Sequence, residues 1–165
     1  MATPTTLPST FVAGAILTAA QQNALRGAFR VLQVVQYTTA VPTSHSSSTY
    51  TTTGLTGAIT PSANTNKILV FAFMNGTVKG AEFANNALGL EIKRGATQIL
   101  EVLNLHYTGT AIRTDGTCFM QVLDAPATTS STTYVVNAKN MNNTSSCAVQ
   151  FQSTTSTLVL AEISA

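Results

Sequence analysis

The chain has 165 residues, and only 8% of them are charged, against about 25% in an average soluble domain. The hydrophobic share is an ordinary 44%, so neutral polar residues replace the missing charge, Ser and Thr together supplying about a quarter of the chain. Ordinary hydrophobicity with little charge excludes a disordered tail. A formal net charge of +2, carried by scattered residues such as Lys67, Lys79, Lys93, Arg94, Arg113 and Lys139, excludes the clustered basic face of a nucleic-acid binder. No apolar run approaches the roughly 18 residues that cross a bilayer, and no basic stretch precedes the short apolar run at 11–20. Neither nucleic acid nor membrane insertion is therefore expected. The length suits one domain with a sizeable core.

Residues 2–10, ATPTTLPST, carry two prolines and four threonines and predict an extended arm. A short helix follows. Thr18 and Gln21 form the T-x-x-Q capping box, residues 19–26 are good helix formers, and Gly27 is a natural stop. Two to three turns are too few to be stable alone, so this segment must dock on something. Residues 1–29 are read as an anchor, with Phe11, Leu17, Leu25 and Phe29 as its assembly contacts, and residues 30–165 as a β-domain.

From Val31 the pattern turns to β. Strands are predicted at 31–37, 50–53, 55–60 and 67–75, the last (KILVFAFMN) a continuous apolar run expected to be buried on both faces. Residues 88–94 alternate, with Leu88, Leu90 and Ile92 on one face, and pair through Gly95 with 97–105 as a hairpin. Further strands are expected at 117–123, 133–139, 147–151 and 158–163. Polar turn clusters separate them, such as 61–66 and 125–131. Phe71, Phe73 and Phe119 are assigned to the core. Eight to ten short strands with frequent turns indicate an all-β antiparallel sandwich. Cys118 and Cys147 sit in apolar runs and read as buried thiols, a disulfide being open to them only if their strands are neighbours.

Four segments carry a family resemblance: 31–35 (VLQVV), 50–56 (YTTTGLT), 59–62 (ITPS) and 66–70 (NKILV). Together with the closing LVLAEI of 158–163, they resemble virion proteins of tailed bacteriophages. The stretch 11–25, FVAGAILTAAQQNAL, is similar to the start of phage tail-fibre and minor tail proteins. The resemblance implies a jelly-roll-like β-module, a homotrimer, and a place in the virion assembled in the host bacterial cytoplasm. Its partners would be other virion proteins of tail or capsid. The chain has no shaft between helix and head, which favours a compact knob over a long fibre.

Chemistry-bearing residues are few. His45 lies in SHSSS and reads as a solvated loop histidine. His106 and Asp115 would approach one another across a turn at 108–114, and a triad would then need Cys118 or a serine. No metalloprotease, CxxC, phosphate-loop or nucleophile-elbow pattern occurs, so the expectation is no enzyme, no cofactor and no metal site. Asn142 and Asn143 begin glycosylation-type triplets but read as turn residues. His45, Tyr107, Asn142 and Asn143 are the exposed-loop contacts expected on position. The leading functional expectation is a tail-fibre or appendage subunit displaying a β-knob that attaches to a host-surface glycan or protein. A capsid decoration protein is the alternative, and a small carbohydrate-binding module or hydrolase the third.

Overall fold

The computed structural model describes residues 31–142 and 146–164, and before them only Gly14, Ile16, Thr18 and Ala19. The expected arm and helix, with Phe11, Leu17, Leu25 and Phe29, otherwise lie outside the described residues, as does Asn143. The strands are β1 (Val31–Thr39), β2 (Thr43–His45), β3 (Thr51–Ile59), β4 (Lys67–Lys79), β5 (Asn86–Arg94), β6 (Thr97–Thr108), β7 (Thr114–Asp124), β8 (Thr132–Asn140), β9 (Cys147–Val149) and β10 (Ser156–Ile163).

The pairing is nested. β5 and β6 form a hairpin, and around it β4 pairs β7, β3 pairs β8, and β1 pairs β10, all antiparallel. The chain is thus one long hairpin wrapped into two sheets, β1-β10-β4-β7 facing β3-β8-β5-β6. Every link between successive long strands crosses from one sheet to the other, except β5 to β6. This connectivity is a jelly roll. The three-residue strands β2 and β9 extend the first sheet beside the end of β4.

Alternation explains the core. Ile68, Val70, Ala72 and Met74 of β4 point inward with Leu158 and Leu160 of β10, against Leu88, Leu90 and Ile92 of β5 and Tyr134, Val136 and Ala138 of β8. The run at 67–75 is therefore buried on one face, not on both. Phe71 is only partly buried, while Phe73 and Phe119 are 40% and 56% exposed, so these rings lie outside the core to which they were assigned. The two strands expected at 50–53 and 55–60 are one strand, β3, with a register shift between Thr52 and Thr56. Gly54 makes that irregularity with φ 76°, a conformation glycine adopts without strain. Both cysteines are buried and free.

Glycine also lets side chains close the two flanks of the sandwich. The Tyr37 ring of β1 lies directly on Gly57 of β3, and its hydroxyl donates to the Ala58 carbonyl at 2.7 Å. On the other flank the His106 imidazole of β6 covers Gly116 of β7. A methyl group at either glycine would collide with the ring.

At the end where β1 begins, two carboxylates are buried. Asp124 accepts from Arg94 Nη1 at 2.7 and 2.9 Å and from the Tyr134 hydroxyl at 2.7 Å, which ties the two sheets together. Glu162 is fully buried. It accepts from Ser62 N at 2.6 Å, Ser62 Oγ at 2.8 Å, Asn66 Nδ2 at 2.6 Å and Gln33 Nε2 at 2.7 Å. Burial alone pushes its pKa up, but the hydrogen bonds from Asn66, Gln33 and Ser62 outweigh that and hold it at about 2. Its contribution is therefore complete above its ordinary value of 4.5 and is lost as pH falls toward 2. Glu162→Gln sets an amide N–H against these donors and is expected to cost about 2–3 kcal/mol. Urea denaturation at pH 7 and pH 3 checks this: the deficit should shrink at the lower pH.

Candidate recognition end and assembly face

Strand direction divides the sandwich into two ends. β1 and β4 start, and β7 and β10 finish, at the Glu162 end. The other end gathers the four connections 40–50, 80–85, 109–113 and 141–155, the first containing β2 and the last β9. β4 has 13 residues, so the two ends stand roughly 40 Å apart at about 3.3 Å per residue.

The loops of this end are tied to one another. Asn140 N donates to the Ser47 carbonyl at 2.9 Å, Met141 N to Ala87 O at 2.9 Å, Gly80 N to Ser146 O at 3.1 Å, and Asn85 N to Thr108 O at 2.8 Å. Lys79 is fully buried beneath the 109–113 loop, its ammonium donating to the carbonyls of Thr110 at 3.2 Å and Ile112 at 2.9 Å. A buried charge is costly unless hydrogen-bonded, so Lys79 fixes the path of that loop. Arg113 stacks its guanidinium 4.2 Å from the Phe151 ring centroid and pairs with Asp115 at 2.7 Å. Below it a cavity of about 290 Å³ opens among Ser44, Gly80, Glu82, Cys147 and Phe151.

The residues expected here divide. Tyr107, near the end of β6, is exposed, its hydroxyl donating to Asn85 Oδ1 at 2.9 Å, and Asn142 is exposed after β8, its backbone N donating to Asn140 Oδ1 at 3.0 Å. His45 is corrected. It is buried in β2, not in a solvated loop, because β2 pairs with β9 and draws the ring inward. Its Nε2 meets Thr43 Oγ1 at 3.1 Å and its Nδ1 meets Thr51 Oγ1 at 2.7 Å. Phe83 and Ile112 add exposed apolar surface to the same end.

No triad geometry emerges from the described residues. His106 Nε2 meets Thr77 Oγ1 at 2.8 Å, and Asp115 is engaged by Arg113. Burial pushes the Cys118 thiol up, and burial foremost pushes Cys147 to about 11, so both are protonated at neutral pH. Among the described residues no group of three or more His, Cys, Asp or Glu could hold a metal ion, and no helix is long and apolar enough to cross a membrane.

A second surface escaped the sequence reading. The outer face of the β1-β10-β4-β7 sheet carries three rows set by strand register. They are Val34, Ala161, Leu69 and Leu123; Gln36, Val159, Phe71 and Gln121; and Thr38, Thr157, Phe73 and Phe119. Phe71 and Phe119 stack with centroids 5.9 Å apart. Val34 and Leu123 are 57% and 60% exposed. The signal for this face was present in β4, where both sets of alternate residues are apolar.

Burial lowers the pKa of His45, and it lowers that of His106 too, partly offset there by the Asp115 charge. The unfolded chain, with histidine near 6.5, then takes up protons first. These groups contribute stability above 6.5 that is lost as pH falls below it. Unfolding midpoints measured from pH 7.5 to 5 should decline, and His45→Gln should flatten the slope. An unchanged slope in that variant would show that His45 is not the titrating group.

No family model matches the chain, and no curated protein matches it. Among solved structures it is similar to the PRD1 vertex protein P5, at 14% identity over 81% of this chain and 97% of that one, with a TM-score of 0.43. It is also similar to the structure of the infectious bursal disease virus Gx strain, at 13% identity over 81% of this chain and 40% of that one, TM-score 0.41. A subviral particle of VP2 from that virus matches at 13% identity over 80% of this chain, TM-score 0.39, and the chain spans only 33% of its length.

Proposed function

We propose that this chain is a structural subunit of a virion, held to the particle through residues 1–29 and displaying the tied loop end outward. The observation that carries this reading is the polarity of the β-domain. The chain enters at Val31 and leaves after Ile163 at one end, while the four loops gather roughly 40 Å away at the other. A domain so arranged is presented by its termini and meets its surroundings with its loops.

The resemblance of 31–35, 50–56, 59–62, 66–70 and 158–163 to tailed-phage virion proteins gives the finer form. It is a tail-fibre or appendage knob, in three copies, assembled in the bacterial host. Tyr107, Phe83, Ile112 and Asn142 would meet a host-surface glycan or protein. Each contact would be weak, and several copies on one particle would multiply it. The role is mechanical and adhesive rather than catalytic. The apolar outer sheet face favours a second reading, a capsid decoration protein packed among neighbours.

Deleting residues 1–29 tests the anchor. The shortened chain should keep its β-type circular dichroism and its melting temperature within a few degrees, yet be absent from purified particles. Normal incorporation would refute the anchor. Immunogold labelling of intact particles then separates tail from head.

A further inference from the structure

We infer that the outer face of the β1-β10-β4-β7 sheet is an interface with a second copy of this chain. The inference stands on the face itself and does not depend on the virion reading. Five of the large apolar side chains exposed among the described residues, Val31, Val34, Phe73, Phe119 and Leu123, lie on this face or at its margin, while others such as Phe83, Leu103 and Ile112 lie elsewhere. The five are contiguous with the partly buried Leu69, Phe71 and Val159. Such contiguity distinguishes an interaction surface from the single apolar residues that any protein exposes.

Size and charge identify the occupant. Four strands and the rows between Lys67 and Phe73 span roughly 19 by 20 Å. That plane is about 400 Å² before side-chain relief is counted, against the ~800 Å² per partner that a standard interface buries. The three rows contain no charged residue, and Lys67 sits at the margin. A face without charge offers nothing to select a charged partner and nothing to repel an identical one. Its polar members, Gln36, Gln121, Thr38 and Thr157, both donate and accept hydrogen bonds, so they are complementary to themselves.

The full chain at tens of micromolar, examined by sedimentation velocity, should run as a closed oligomer well above its 17.2 kDa monomer mass. Phe119→Glu, and the milder Gln121→Glu at the centre of the face, should shift it to monomer with unchanged circular dichroism. Phe83→Glu at the loop end should leave the oligomer intact. An oligomer that survives both face variants overturns the inference. So does a monomeric wild type: if Phe119→Glu then lowers its melting temperature, residues 1–30 cover the face in the same chain, and if it does not, the face serves a different protein.

Discussion

The nested antiparallel pairing is the constraint on which the rest depends. The β1–β10 pair encloses β3 with β8, β4 with β7 and β5 with β6 in turn. That order places residues 31 and 163 side by side and sends four loops to the far end. It leaves two open flanks, which a tyrosine and a histidine close by lying on glycines. Most contacts join residues distant in sequence, a topology that folds slowly relative to helical domains of equal size.

Scarcity of charge shapes how the two ends are held. Each relies on a buried ion satisfied by neutral groups: Glu162 by Ser62, Asn66 and Gln33, Lys79 by the carbonyls of Thr110 and Ile112. Neutral partners in a dry environment hold an ion by oriented dipoles, which do not fade with added salt as surface ion pairs do. The surface pairs Arg113–Asp115 and Lys139–Glu101 add little beside them.

Much of the fold was legible in the sequence. The long strands and the core set Leu88, Leu90 and Ile92 follow from period-two alternation, which is a local property. What was not legible is set by partners distant in the chain. β2 is three residues of Thr, Ser and His that hold strand form only because β9 pairs with them, so a Ser/Thr-rich stretch read as a loop and His45 as solvated. In β4 and β7 both faces are apolar, and alternation cannot say which one meets the other sheet. Phe71, Phe73 and Phe119 were assigned to the core for that reason. That the segments between the long strands meet at one end follows from the nested pairing alone. The anchor residues Phe11, Leu17, Leu25 and Phe29 lie outside the described residues, so this part of the reading rests on sequence.

The adjacency of β1 and β10 also has a mechanical meaning. Their hydrogen bonds run perpendicular to the strands, from Val31–Ile163 to Thr39–Ser156. A pull applied between Val31 and the loop end would act along the strands. It loads every rung of that ladder at once, in shear, where a pull from the side would open the rungs one after another.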